Sequence, residues 1–202
     1  MNFSAVGISM ICPFFGFDAP VTVVQMLWIN IIMDTLGGLA FAGEAPKNHY
    51  MKEKPKRRDE PILNSYMISQ MATLSIYSIC LCLAFLKLPS ITSHFRSGRD
   101  NIYLLTAFFA LFIFSSLANC FNCRTDRLKL FSGLSENKAF ILIMLLVGTI
   151  QILFTYLGGS ILRTAPLVKD ELLFTLFLAL SVFPIDILRK LILKIFGKKE
   201  GF

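Results

Sequence analysis

Asn30 and Asp34 are the residues whose types and spacing most clearly predict chemistry, because both lie inside a long apolar run. An unpaired carboxylate in the apolar part of a bilayer costs roughly 3 kcal/mol or more, so it normally faces a partner, a cavity or an ion. In an α-helix, residues four apart share one face. An amide oxygen and a carboxylate are hard ligands of the kind that Ca²⁺ prefers. The pair therefore predicts part of a cation site.

Two observations keep that prediction open. Ca²⁺ takes about six to eight oxygen ligands, so these two side chains supply less than a full site. Asn30 and Asp34 could instead hydrogen-bond to neighbouring helices. Gly37 and Gly38 follow directly, and paired glycines let a helix loosen and free backbone carbonyls.

The composition indicates that lipid is the solvent for the segments that hold these residues. Of the 202 residues, 55% are hydrophobic and 16% are charged, against about 25% charged in soluble domains. The net charge of +7 would suggest nucleic acid in a soluble protein. Here the basic residues lie in short loops between apolar runs, which is typical of membrane topology. We therefore expect no nucleic-acid partner.

Five stretches reach the length of about 20 apolar residues that a membrane helix needs. They are Val21–Ala42, Ile62–Leu88, Ile102–Cys123, Ala139–Leu157 and Leu172–Ile195. A sixth, Met1–Phe17, is apolar but short, as a helix without its first half would be. The sequence predicts an all-α membrane protein, a bundle of about six transmembrane helices with the first one truncated.

The basic residues also predict an orientation. Fifteen of the 20 Lys and Arg residues lie after the second apolar segment, after the fourth, or from Arg189 to the end of the chain, counting Met1–Phe17 as the first segment. Because basic loops stay on the cytoplasmic side, residues 43–61, residues 124–138 and the C-terminus are predicted to be cytoplasmic.

Two features of the later segments are interpreted as structural. Cys120 and Cys123 form a C-x-x-C at the end of an apolar run, where two packing thiols are expected. Pro184 predicts a kink in the last segment. Asp186 is predicted to pair with Arg189 and to anchor that helix.

The residues from Gln25 to Thr35 resemble the sixth membrane helix of P-type calcium pumps, closest to the plasma-membrane type. The similarity continues without a gap through Pro61-Ile62-Leu63. Residues Leu117–Arg124 are similar to the end of the eighth helix of that family, and Gln151 with Gly158-Gly159 fits the ninth. The resemblance covers essentially the whole chain and is weakest after residue 172.

By this resemblance, Asn30 and Asp34 match two cation ligands, and Asn2 matches an asparagine of the fifth helix that faces the ion. The alternative for Asn2 is a solvated residue at a frayed end. Met33 stands where two-site reticulum pumps carry a Thr ligand, and Ala5 where they carry a Glu. Both departures indicate the plasma-membrane-like pattern with a single calcium site. The resemblance implies Ca²⁺ as the transported ion.

The resemblance implies an ATP-driven cation exporter whose chemistry needs an aspartyl phosphate. The sequence has no Asp-Lys-Thr-Gly-Thr motif, no nucleotide-binding domain and no actuator domain. We therefore expect residues 1–202 to be a C-terminal membrane domain from a truncated or split gene or a misplaced start. This domain would be inactive in ATP hydrolysis alone, and ATP and Mg²⁺ would act only in the complete pump. Its expected partners are the bilayer and the missing N-terminal part of the pump.

Two other functions stay open from the sequence. The chain could be a free-standing helical membrane protein that binds or regulates intact pumps. A passive channel is a third hypothesis, and it would require oligomerisation because each chain has one carboxylate within the segment around Asp34.

Overall fold

The computed structural model describes residues 2–16, 20–44, 63–125 and 134–196, which are helical and contain no strand. The α-helices are α1 (Asn2–Ile11), α2 (Val23–Asn30), α3 (Gly38–Ala42), α4 (Ser65–Lys87), α5 (Pro89–Thr92), α6 (Ile102–Cys123), α7 (Lys138–Leu157), α8 (Gly159–Leu162), α9 (Lys169–Leu180) and α10 (Val182–Ile195). Three 3₁₀ turns cover Cys12–Phe15, Arg99–Asn101 and Leu134–Glu136, and a π-helix covers Ile31–Gly37.

Five helical spans in the described residues are long and apolar enough to cross a membrane. They are Val23–Ala42, Ser65–Lys87, Arg99–Cys123, Lys138–Leu157 and Lys169–Ile195, and a shorter apolar helix covers Asn2–Phe15. The predicted all-α membrane bundle is confirmed. The predicted spans differ from these bounds by at most three residues, since a helix begins beside its capping residue, which can lie before or after the first apolar residue.

The span that contains α6 forms the centre of the bundle. Of its most apolar part, 72% is buried inside the protein, against 22–28% for the other four spans. It packs on α4, α7, α9 and α10. Cys120 is buried at its end and Cys123 is exposed, and both are free thiols. The surrounding spans keep one apolar face outward, as helices that meet lipid do.

The last span is broken at Ser181, between α9 and α10. The Pro184 ring cannot fit against the carbonyl four residues earlier and lacks an amide proton. The Ser181 amide consequently bonds the Leu178 carbonyl three residues back, at 3.1 Å. The Tyr77 hydroxyl donates to Ser181 Oγ at 2.5 Å and holds the break against α4. The predicted kink is confirmed.

Asp186 lies in a buried cluster of charges on α10. Its carboxylate is 2.8 Å from Arg189 and 2.8 Å from Lys190, which confirms the predicted pair and adds Lys190. Lys190 Nζ also donates to the Thr125 carbonyl at 2.7 Å, and Arg189 to the Tyr66 hydroxyl at 3.1 Å. Buried charges persist when they are paired and hydrogen-bonded in this way. The cluster joins α10 to the residues after α6 and to the start of α4.

Arg96 and Glu171 tie the segment after α5 to the start of α9. Arg96 donates from Nε and its terminal nitrogen to the two carboxylate oxygens, each at 3.1 Å, and also to the Pro166 carbonyl at 2.9 Å. This side-chain hydrogen bond to Glu171 raises the pKa of Arg96. The bidentate geometry fixes the connection between the two spans.

Candidate cation site

The span that holds Asn30 and Asp34 is anchored at its start by Gln25. Thr22 and Gln25 form a capping box, in which the Thr22 amide donates to Gln25 Oε1 at 2.8 Å and the Gln25 amide donates to Thr22 Oγ1 at 3.2 Å. The same Gln25 side chain donates from Nε2 to the Leu162 carbonyl at 2.7 Å and is buried. One residue therefore starts α2 and fixes it to α8.

The end of the span is anchored by Glu44. Its carboxylate accepts from Arg124 Nε at 3.1 Å and from Asn137 Nδ2 at 3.0 Å. Asn137 also donates to the Ala40 carbonyl at 3.2 Å, and its Oδ1 accepts the Phe140 amide at the start of α7. The Arg124 side chain is fully buried, so a charged partner is required there.

Between the two anchors, the backbone from Ile31 to Gly37 is a π-helix. A π-helix is a rare widening, with hydrogen bonds to the fifth residue, and it occurs frequently at functional sites. It begins directly after Asn30 and includes Asp34. The sequence predicted an α-helix through this region, and that prediction is wrong for the residues of the π-helix. The glycine pair predicted loosening, and the widened segment ends at the first glycine.

The predicted ligands lie on three elements: α1, α2 and the π-helix. Asn30 is the exposed last residue of α2, and Asn2 is the exposed first residue of α1. Asp34 lies on the π-helix, and its side chain is outside the described part of the structure. The sequence predicted that Asn30 and Asp34 share one face of an α-helix. The backbone between them is a π-helix, so that α-helical relationship does not apply. Among the described residues, no three His, Cys, Asp or Glu side chains gather as metal ligands would.

Ser116 is a polar residue in the second half of α6. It is fully buried, and its hydroxyl donates to the Phe112 carbonyl of its own helix at 2.7 Å. A hydroxyl used in this way bonds its own helix turn rather than reaching a neighbour.

The family model described as "Cation transporting ATPase, C-terminus" matches residues 18–192. The chain belongs to this family. The matched region contains the anchored span, the π-helix and the buried charge cluster of α10, so the features described above belong to a cation transporting ATPase C-terminal domain.

Several curated proteins are similar to this ATPase domain. It is 30% identical over 196 residues to Calcium-transporting ATPase 9, plasma membrane-type, of Arabidopsis thaliana, and the match covers 95% of this chain and 18% of that protein. It is 31% identical over 172 residues to Plasma membrane calcium-transporting ATPase 3 of Homo sapiens, covering 81% of this chain and 14% of that protein. The chain thus spans less than a fifth of the length of these relatives.

Sequence reasoning missed the anchors of this ATPase domain. Gln25 and Glu44 lie within the stretch of the family resemblance, but their partners Leu162 and Asn137 lie 137 and 93 residues further along the chain. The sequence does show a polar residue at each end of this apolar run, which indicates that each end is anchored. It does not identify the partner, because several loops could supply one.

Proposed function

We propose that this chain is the part of a calcium pump that binds the transported ion within the membrane, with Asn30, Asp34 and Asn2 as ligands. The family membership supports a role in cation transport. The names of the relatives, plasma-membrane calcium-transporting ATPases, support Ca²⁺ as the ion and the cell membrane as the location. ATP and Mg²⁺ act in the complete pump rather than on residues of this domain.

The observation that carries the proposal is the π-helix at Ile31–Gly37, which lies between two anchored ends. A regular α-helix pairs each carbonyl with the amide four residues on. A π-helix changes that pairing and offers carbonyl oxygens at its ends. Ca²⁺ accepts carbonyl, amide and carboxylate oxygens. The widened backbone therefore supplies the oxygens that two side chains alone lack.

The position of Asn2 also supports a shared site. The first helical segment ends at Gly16, and the described chain resumes at Pro20. Asn2 precedes Gly16 by the same length of chain by which Asp34 follows Pro20. In the structure α1 packs mainly on α4, and it has few contacts with α2 or the π-helix. The support is therefore one of depth: equal separations from the turn would bring Asn2 and Asp34 to similar depths in the bilayer.

The orientation follows from the basic loops. We propose that residues 43–61, residues 124–138 and the C-terminus face the cytoplasm, since Lys and Arg concentrate there. The ion would then be exported toward the side of the turn at Gly16–Pro20. The bilayer and the ATP-hydrolysing part of the pump are the partners of this domain.

The proposal is tested by replacing the matching segment of Plasma membrane calcium-transporting ATPase 3 with this chain. ATP-dependent ⁴⁵Ca²⁺ uptake is then measured in inside-out vesicles. Asp34→Asn and Asn30→Ala are expected to reduce uptake at least about tenfold, since each removes a ligand with about 1.4 kcal/mol or more of ion-binding free energy. Asp170→Asn is the matched control, because it makes the same change at an exposed carboxylate in the first turn of α9.

Equilibrium ⁴⁵Ca²⁺ binding to the chain itself in lipid nanodiscs supplies a second measurement that does not depend on the chimera. Asp34→Asn is expected to weaken binding, and Asp170→Asn to leave it unchanged. Equal binding by Asp34→Asn and the unmodified chain would show that this carboxylate is not a ligand. Uptake of another cation in place of Ca²⁺ by the chimera would show that the transported ion is that cation and not Ca²⁺.

A further inference from the structure

Gln151 on α7 is a buried polar residue that the proposed site does not use. Its side chain is fully buried, and in the described part of the chain neither Oε1 nor Nε2 has a hydrogen-bond partner. The Thr155 hydroxyl one turn on bonds only the backbone carbonyl of Gln151. Because an unpaired buried amide is costly, nearly all such groups in folded proteins have a partner.

Trp28 on α2 carries a complementary unpaired group. Its indole Nε1 is shielded from solvent and has no partner among the described residues. An indole N–H can only donate, and a carboxamide oxygen can accept. The two groups are therefore chemically matched.

Two ring contacts place Gln151 beside this part of the span. Trp28 lies 4.6 Å from Phe154, and Phe41 lies 5.7 Å from Phe140, between ring centroids. α7 therefore runs antiparallel to the span. The number of residues between the two contacts is nearly the same on α7 as on the span. Interpolation between the contacts sets Gln151 opposite Asn30 and Ile31, where α2 passes into the π-helix.

Trp28 belongs to the last turn before that transition. The Ile31 amide is shared between the carbonyls of Leu27 and Trp28, so the backbone pairing changes at this point. A contact that fixes the Trp28 side chain would fix the residue at which the π-helix starts. On its α6 side, α7 meets an apolar contact at this level, with Leu117 lying 3.7 Å from the Cβ position of Gly148.

We propose that Gln151 is a positioning residue for the cation site: its carboxamide accepts the Trp28 indole N–H when the ion binds, and this fixes the start of the π-helix. The inference rests on the proposed function, because the π-helix positions Asn30 and Asp34. Gln151 itself is not a ligand, since it lies on α7 and acts through Trp28.

Trp28 is the single tryptophan of the chain, so its fluorescence reports this contact directly. The chain in nanodiscs is titrated with Ca²⁺, and ⁴⁵Ca²⁺ binding and the Trp28 emission maximum are recorded together. Ca²⁺ is expected to shift the emission of the unmodified chain. Gln151→Leu is expected to remove the shift and to weaken Ca²⁺ binding about fivefold or more, the lower range of coupling between sites. Gln151→Asn, which keeps a neutral acceptor oxygen, is expected to retain more of both than Gln151→Leu.

Thr155→Val is the matched control, because it removes a buried polar group one turn away whose bond stays within α7. It should change neither the emission shift nor the affinity. Trp28→Phe tests the contact from the other side, since it keeps a ring against Phe154 and removes the donor. It should weaken binding as much as Gln151→Leu does, with no further loss in the double variant.

Two results separate this inference from the proposed function. Absence of Ca²⁺ binding by the unmodified chain would refute the proposed function. Normal binding with an unchanged affinity and emission shift in Gln151→Leu would overturn the role of Gln151 alone. If Gln151→Leu does not fold, an unchanged affinity in Trp28→Phe overturns it in the same way.

Discussion

A single substitution at Asn137 tests how the span Val23–Ala42 is attached to α7. Its side chain makes three contacts: Oδ1 accepts the Phe140 amide at 2.8 Å, and Nδ2 donates to the Ala40 carbonyl at 3.2 Å and to Glu44 at 3.0 Å. The residue is buried. Asn137→Ala removes all three contacts together.

The expected cost can be worked from those contacts. Losing the N-cap of α7 costs about 1 kcal/mol. The variant also removes one hydrogen-bond donor from the buried Ala40 carbonyl and one from the Glu44 carboxylate. Together these two losses cost about 1–3 kcal/mol more. Asn137→Ala should therefore lower the free energy of unfolding by about 2–4 kcal/mol.

The assay is SDS-induced unfolding in mixed micelles, followed by far-UV circular dichroism. Asn64→Ala is the matched control, because Asn64 caps α4 by accepting the Met67 amide at 2.8 Å. It should lose only the capping contribution, about 1 kcal/mol. Asn137→Ser keeps a capping oxygen and loses the two donations, so its loss should fall between the two alanine variants.

Asn137→Ala and Asn64→Ala could instead lower the free energy of unfolding by the same amount, which would refute this expectation. That result would mean that the contacts to Ala40 and Glu44 contribute nothing beyond an ordinary cap. A loss for Asn137→Ser as large as that for Asn137→Ala would instead assign the whole effect to the donated bonds.

Three further predictions concern the same unfolding measurement. Gly158→Ala should cost about 1–3 kcal/mol, because its Cβ would lie 2.5 Å from the Phe154 carbonyl oxygen; an unchanged free energy would contradict this. Asp186→Asn should cost about 3–5 kcal/mol by leaving buried Arg189 and Lys190 without a carboxylate, and Asp186→Leu combined with Arg189→Met and Lys190→Met should recover most of it. Gly38→Ala should stabilise the chain by about 0.4–1 kcal/mol, since nothing lies within 4 Å of its Cβ position.

The spans and the α10 cluster show what the sequence can predict. An apolar run of about 20 residues identifies a membrane helix whatever its neighbours are, so the five spans were predicted. Asp186 and Arg189 lie three residues apart, and such a pair needs no knowledge of the fold. Lys190 lies four residues after Asp186, so its pairing with that carboxylate could have been predicted by the same rule. Only its bond to the Thr125 carbonyl depends on how α10 packs in the fold.

The π-helix could not be predicted from its residues. The segment from Ile31 to Gly37 has the same apolar character as the α-helix before it. Local propensity is a weak guide where tertiary contacts decide. The bonds that hold the two ends of this span, at Gln25 and Ala40, come from residues far along the chain, Leu162 and Asn137. The glycine pair predicted a loosened backbone, but its location at the end of the widened segment needed the structure.

Both anchors of the span lie on the consecutive helices α7 and α8, outside the π-helix, and we expect this to separate stability from ion binding. Asn137 caps α7 and Leu162 ends α8. A change caused by an ion is expected to occur between the anchors, in the π-helix and at its contact with α7. Substitutions at Asn137 should accordingly change the free energy of unfolding more than the affinity for Ca²⁺. Substitutions at Gln151 should do the reverse, and a common effect of both on affinity would show that the anchors also move.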